Sequence, residues 1–192
     1  MSSSLESERP QRADAKRNRE RILESARAAF ADQGADTQMD EVARLAGVGV
    51  GTVYRHFPTK ESLLGELVRQ KMTKMGEQSR AALEEDGEPF AVFADTLRRN
   101  AAICAGDAAI QFAMLGAGQP VWDYAGEAEA ELLALTDELM ARAQRAGTMR
   151  ADVSAIDIPM LMCGVCATMT HTKPHFDWQR HLDLIVDSLR AR

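Results

Sequence analysis

The stretch that most constrains the fold is residues 37–60, TQMDEVARLAGVGVGTVYRHFPTK. Its pattern predicts two short helices joined by a tight turn, followed at once by a third helix. Thr37 and Asp40 have the spacing of a helix start, since a hydroxyl can cap a free N–H and a carboxylate favours the positive helix end. Gly47 permits the left-handed backbone that ends a helix, and Thr59 can cap the third helix. Two helices joined by a short turn containing Gly form a helix-turn-helix, whose second helix can enter a DNA major groove.

The predicted DNA contacts of this stretch fall into two sets. Side chains at the helix ends can donate hydrogen bonds to phosphates and so fix docking without reading sequence; they are Thr37, Gln38, Tyr54, His56 and Lys60. Side chains on the outer face of the second helix are nearest to base edges by position; they are Val50, Gly51, Thr52 and Arg55. The alternative is that Tyr54 packs partly in the core and that Val50 only covers apolar surface.

The overall acidity of the chain argues at first against a nucleic-acid partner, because the formal net charge is −6 over 192 residues. The distribution of charge changes that conclusion. Residues 9–21 carry six basic side chains and two acidic ones. A basic segment on an acidic body still attracts phosphates. Double-stranded DNA is therefore the predicted partner.

The rest of the chain has apolar residues at helical spacing and no strand-like alternation of useful length. We therefore predict an all-α fold of about nine helices. Composition and helix signals predict a disordered tail at residues 1–12 and a three-helix, helix-turn-helix DNA-binding domain at residues 13–58. Residues 59–192 then form a second, helical domain.

Residues 160–169 place apolar or small side chains on almost every face of a predicted helix. Such a helix must be covered on more than one side, and a second copy of the chain can supply the outer cover. The helix that follows carries an apolar stripe of its own. The predicted dimer surface on these two helices consists of Leu161, Val165, Met169, Trp178, Leu182, Ile185 and Leu189.

The segment GVGVGTVYRHFPTKESLL, residues 47–64, resembles the end of the helix-turn-helix of TetR-family transcriptional regulators. In that family a Gly-Val turn leads into a recognition helix ending Tyr-x-His-Phe, and Pro/Ser/Thr-Lys-Glu opens a long fourth helix. The resemblance extends from about Arg17 to Val68. At Gly49 and Val50 this sequence departs from many relatives, which carry a capping residue and a polar or basic residue there.

The resemblance implies a homodimeric repressor that a small-molecule effector releases from a near-palindromic operator. It implies an effector-binding and dimerisation domain over residues 59–192, without a cofactor and without enzymatic activity. The sequence likewise contains no nucleophile–base set and no phosphate loop. The bulky residues expected near the effector are Phe93, Leu97, Phe112, Trp122, Tyr124 and Met162.

Cys163 and Cys166 support an alternative hypothesis, an all-helical thiol or metal sensor. Their i, i+3 spacing puts both thiols on one helix face, where His171 or His175 could join them around a metal ion. Small cysteines buried inside an apolar helix are commoner, so no metal is predicted. Cys104 has no partner in the sequence.

The expected location is cytoplasmic, with no membrane partner. The first residues are polar and lack the apolar segment of a secretory signal. No run approaches the roughly 18–20 apolar residues of a membrane span. Three cysteines without framework spacing fit a reducing compartment.

Overall fold

The computed structural model describes residues 4–116, 118–171 and 173–191, and for residues 4–13 it gives only the course of the backbone. Over these residues the chain forms nine α-helices and no β-strand, which confirms the all-α prediction. A short 3-10 turn, Gly34–Asp36, follows the first helix. The helices are α1 (Ser4–Gln33), α2 (Met39–Ala46), α3 (Val50–His56), α4 (Lys60–Leu83), α5 (Pro89–Ala105), α6 (Ala108–Gly116), α7 (Gln119–Arg145), α8 (Asp157–Met169) and α9 (Trp178–Ser188). None of the described helices is long and apolar enough to cross a membrane.

Helix α1 begins at Ser4, so residues 4–12 are helical where the sequence predicted a disordered tail over residues 1–12. Residues 1–3 lie outside the described residues. Five of the nine residues 4–12 are Glu, Arg or Gln, which are polar enough to suggest disorder but are also good helix formers, whereas Pro10 disfavours a helix interior. The low apolar content therefore misled the prediction.

Helices α1, α2 and α3 pack around a small apolar core that includes Ile22, Phe30, Val42 and Val53, all of them buried. The turn between α2 and α3 is closed by backbone hydrogen bonds. Gly47 adopts a φ of 62°, as predicted, and the Val48 N–H donates to the Ala43 carbonyl at 3.1 Å. This satisfies carbonyl groups that the end of α2 would otherwise leave free.

Helix α4 begins with the predicted Thr59 cap. The Ser62 N–H donates to Thr59 Oγ1 and the Thr59 N–H donates to Ser62 Oγ, both at 3.1 Å, which forms a capping box. From there α4 runs along α7. Helices α5, α7, α8 and α9 enclose a second apolar core, which includes Phe90, Phe93 and Met140.

Glu66 of α4 joins α4 to α1. Its carboxylate lies 3.1 Å from Arg19 of α1 and accepts from Arg69 and Gln70 at 2.8 and 2.9 Å. The Arg19 guanidinium also lies over the Phe57 ring, 5.2 Å from its centroid. Partial burial disfavours the charged carboxylate and so raises the pKa of Glu66. The hydrogen bonds from Arg69 and Arg19 outweigh that effect and lower the pKa to about 2.

Glu66→Gln is expected to lower the free energy of unfolding at pH 7 by about 2 kcal/mol, because it leaves partly buried guanidinium groups without their anion. A carboxyl whose pKa is lower in the folded chain stabilises the fold above its ordinary value of 4.5, and that contribution is lost as the pH falls toward 2. Urea unfolding should therefore show the difference between variant and wild type shrinking between pH 4.5 and 2. The exposed Glu77 of the same helix supplies a control, Glu77→Gln, expected to cost less than about 0.5 kcal/mol. A Glu66→Gln difference that stays constant with pH would contradict this assignment.

Candidate nucleic-acid interface and ligand cavity

The outer face of α3 is open to solvent, while Val53 and Phe57 are buried and anchor the helix in the core. Four of the residues predicted to meet bases or phosphates are exposed there: Val50, Gly51, Tyr54 and Arg55. Thr52 and His56 are half-buried on the same helix. Arg55 has no ion-pair partner within the described parts of the chain, so its charge is available to a ligand.

A shallow cleft lies beside α3, between the start of α2 and the start of α4. Gln38, Tyr54, Thr59 and Lys60 are among its lining residues. The Lys60 ammonium group donates to the Ala35 carbonyl oxygen, and two further N–H bonds of that group remain available. The cleft thus combines a cation, a phenol and a helix N-terminus, which are groups that hold phosphates.

Thr37 does not contribute its side chain to this cleft in the predicted way. Thr37 is only 1% exposed, and its hydroxyl donates to the Gly34 and Ala29 carbonyls at 2.8 and 3.2 Å. The N-cap of α2 is Gln38, and no side chain caps that helix. The prediction that Thr37 caps α2 is therefore wrong, and its hydroxyl fixes the turn after α1 rather than a phosphate.

The described basic side chains of α1, from Lys16 onward, are largely occupied by the chain itself. Lys16 pairs with Glu20 and Arg17 with Asp14, and Arg19 pairs with Glu66 as described above. Arg21 donates to the Ala46 and Gly47 carbonyls, so it holds the turn before α3. Sequence reasoning missed this role, because nothing local connects Arg21 to a turn 25 residues away.

A cavity of about 230 Å³ lies between the two cores. Its wall is built mainly from Met, Leu, Ile and Cys side chains of α4 to α8. The lining residues are Met72, Met75, Leu97, Asn100, Cys104, Ile110, Met114, Trp122, Glu129, Leu132, Leu133, Thr136, Ala155, Ile158, Pro159, Met162 and Cys163. Three of the six predicted pocket residues, Leu97, Trp122 and Met162, belong to this wall.

The other three predicted pocket residues lie elsewhere. Phe93 is buried in the second core, and Phe112 stacks on Phe30 with ring centroids 6.4 Å apart. Tyr124 is exposed, with its Cβ against the backbone of α4 at Gly65. Their bulk suggested a pocket, but the direction of each side chain depends on helix packing that the sequence does not show.

The cysteines meet in a different combination from the one that their spacing suggested. Cys166 is buried in one cluster with Cys104, and its Sγ lies 3.6 Å from Met114 Sδ. Cys163 lines the cavity instead. Contact with Cys166 and burial raise the pKa of the Cys104 thiol, and burial raises the pKa of the Cys163 thiol, so these two thiols are not activated. No group of three His, Cys, Asp or Glu side chains in the described residues is arranged to hold a metal ion.

Helices α8 and α9 expose apolar side chains, but not all of those predicted. Val165, Leu182 and Leu189 are buried in the chain's own second core, so they cannot form a dimer surface. Leu161, Met169, Trp178 and Ile185 are half-buried at the edge of that core. Met160 and Leu184, which were not predicted, are 66% and 52% exposed. We call Met160, Leu161, Met169, Trp178, Leu184 and Ile185 the α8–α9 apolar face.

Two family models match the chain. The model described as bacterial regulatory proteins, tetR family, matches residues 22–67, which contain α2, α3 and the start of α4. The model described as transcriptional regulator SbtR-like, C-terminal domain, matches residues 88–191, more than half of the chain.

Solved structures agree with both models. The TetR transcription regulatory protein from Mycobacterium vanbaalenii is 38% identical, with 95% of this chain and 100% of that chain covered and a TM-score of 0.61. The transcriptional regulator FadR from Bacillus subtilis, in complex with stearoyl-CoA, is 19% identical, with coverages of 88% and 98% and a TM-score of 0.70. At that identity FadR shows a shared fold alone.

Curated relatives match over a shorter region. HTH-type transcriptional regulators of Staphylococcus aureus are 39% identical over 62 residues, which is 32% of this chain and 34% of theirs. The matched segment therefore spans about a third of the length of these relatives.

Proposed function

Because the chain belongs to the TetR family of transcriptional regulators, a family of transcription factors rather than enzymes, we propose that it is a homodimeric, cytoplasmic repressor. In this proposal it binds a near-palindromic DNA operator and leaves it when a small molecule fills the cavity. The observation that carries the proposal is the exposed face of α3 beside a cleft that ends in Lys60. The division into a DNA-binding domain at residues 13–58 and an effector-binding and dimerisation domain at residues 59–192 is part of the proposal.

Docking and sequence reading are assigned to different side chains. Tyr54, His56 and Lys60, together with Gln38 at the start of α2, would donate to phosphates and fix the position of α3. Val50, Gly51, Thr52 and Arg55 would face base edges in the major groove. Arg55 is the side chain best suited to a guanine, since its guanidinium carries several donors and has no partner within the described residues.

The dimer would form through the α8–α9 apolar face, since apolar side chains left exposed or half-buried on two helices that pack together mark an interaction surface. Two identical heads related by a two-fold axis read two inverted half-sites, which is why a near-palindromic operator is proposed.

The effector would act through α6 and α4. Ile110 of α6 lines the cavity, and the Asp107 carboxylate caps α6 by accepting from the Ala109 and Ile110 N–H groups at 3.0 and 3.2 Å. The same carboxylate pairs with Lys71 of α4 at 2.9 Å. A ligand that displaces α6 would pull on α4, whose first residue is Lys60 in the cleft. From FadR, which was solved with stearoyl-CoA, we extend to this chain only small-molecule binding as such.

Two substitutions distinguish the residues that contact phosphates from those that contact bases. Lys60→Met is expected to weaken binding to all DNA sequences alike and to reduce the slope of log K against log salt by about 2 for the dimer, because one phosphate contact is lost in each protomer. Thr52→Ala is expected to change the preferred base at one position and to leave the salt slope unchanged. The measurement is fluorescence anisotropy at several salt concentrations, on DNA fragments that the wild-type protein retains from a random pool.

The control is Lys74→Met, since Lys74 is exposed on the same helix but lies outside the cleft. Lys74→Met should bind DNA with the affinity and the salt dependence of the wild type. If Lys60→Met and Thr52→Ala also bind like the wild type at every salt concentration, α3 and its cleft do not form the DNA interface.

A further inference from the structure

The hydrogen-bonding groups that the cavity wall leaves open to a ligand are acceptors. The Asn100 side chain does not supply one, because its Oδ1 has almost no accessible surface and its Nδ2 donates to Ser79 Oγ at 3.3 Å. The Thr136 hydroxyl donates to the Leu132 carbonyl at 2.8 Å, so only its lone pairs remain. A ligand must therefore bring the donors.

The cavity wall carries negative charge and no positive charge among its described residues. Glu129 is its only charged lining residue, and no Lys, Arg or His is found among the described residues of the wall. The Glu129 side chain is exposed and so lies at the mouth of the cavity. A ligand carboxylate or phosphate inside would find no counter-charge, and an unpaired buried anion costs several kcal/mol.

The rest of the wall suits a small apolar skeleton. A cavity of about 150 Å³ holds benzene, so about 230 Å³ accommodates one or two rings rather than a long acyl chain. Methionine sulfurs such as those of Met75, Met114 and Met162 make favourable contacts with aromatic rings. The face of Trp122 attracts cations.

We propose that the ligand of this cavity is a small lipophilic amine, bound as its ammonium ion. The proposal rests on the effector role proposed above. The ring system lies among the methionines and Trp122, and the ammonium group donates to the Glu129 carboxylate at the mouth of the cavity. An ammonium ion carries several donors, whereas an alcohol carries one and a carboxylate carries none. The predicted class therefore differs from the acyl-CoA bound by FadR.

Three probes of matched skeleton test the ligand class by calorimetry on the full-length protein without DNA: 4-phenylbutylamine, 4-phenylbutanol and 4-phenylbutyrate. The amine is expected to bind at least tenfold more tightly than the carboxylate and about threefold more tightly than the alcohol. Carboxylate binding as tight as amine binding would overturn the proposal, and so would the absence of binding by all three probes.

A carboxylate pair on α7 provides the matched variants. Glu129→Gln is expected to weaken amine binding three- to tenfold and to leave alcohol binding within twofold. Glu127 is exposed on the same helix but lies outside the cavity wall, so Glu127→Gln should change neither affinity. If Glu129→Gln and Glu127→Gln change the affinity for the amine equally, Glu129 does not bind the ammonium group.

The outcomes for ligand and DNA are separable. A protein that retains specific DNA but prefers 4-phenylbutyrate contradicts the amine class and leaves the proposed regulator intact. A protein that binds 4-phenylbutylamine but retains no DNA contradicts the proposed regulator instead.

Discussion

Leu184→Asp is expected to convert the protein from dimer to monomer and to lower its affinity for an operator by more than 100-fold. Leu184 of α9 is 52% exposed and Met160 of α8, the helix that packs on α9, is 66% exposed, so a partner chain on this face would bury both. An unpaired carboxylate in such an interface must lose its hydration without compensation. A monomer holds only one half-site, so it also loses the roughly 10²- to 10⁴-fold gain that comes from linking two binding sites. Analytical ultracentrifugation gives the mass, and fluorescence anisotropy gives the affinity.

The control for this substitution is Leu115→Asp. Leu115 lies on α6 and is 46% exposed, so the two leucines are matched in type and exposure but not in position. Leu115→Asp should remain dimeric and bind DNA within about threefold of the wild type. Melting curves of both variants exclude unfolding as the cause. A dimeric Leu184→Asp protein would contradict the assignment of the α8–α9 apolar face.

The second large effect is expected at Gly65, where α4 and α7 approach each other closely. A Cβ added to Gly65 would lie 2.5 Å from Tyr124 Cβ and 2.9 Å from the Val121 carbonyl oxygen. The second contact is with backbone, so a side-chain rotation cannot relieve it and the two helices must separate. Gly65→Ala is expected to lower the free energy of unfolding by about 2–3 kcal/mol, although alanine favours helix by about 1 kcal/mol. Thermal unfolding should show a fall of about 5–10 °C.

Gly76 of the same helix provides the opposite result from the same substitution. The nearest atom to its added Cβ is Leu135 Cδ1 at 3.7 Å, an ordinary contact distance. Gly76→Ala should therefore raise the stability by about 0.5–1 kcal/mol through helix propensity alone. If Gly65→Ala and Gly76→Ala change the free energy of unfolding by the same amount, in either direction, the close approach of α4 and α7 does not require glycine at position 65.

Local signals predicted the helices well. Gly47 ends one helix and Thr59 begins another as expected, because the local structure that each favours is a property of the residue itself. These features need no knowledge of distant residues.

Apart from the helical residues 4–12, the failures concern side-chain directions set by packing. The Thr37 hydroxyl turned inward because the Ala29 carbonyl of α1 lies beside it. On α8, which is apolar on almost every face, spacing could not tell that Val165 faces the core and Met160 faces outward. The contact of Cys104 with Cys166 likewise joins α5 to α8 across the cavity wall. In each case the deciding neighbour comes from another helix.

If the α3 helices of a dimer enter two major grooves, methylation interference on a retained DNA fragment will show two regions of contact. Dimethyl sulfate modifies guanine N7, an acceptor in the major groove, and adenine N3, an acceptor in the minor groove. Interference is expected at guanines in two symmetric patches, 10 to 10.5 base pairs apart or a multiple of that spacing. Interference confined to adenines, or to a single patch, would contradict this arrangement.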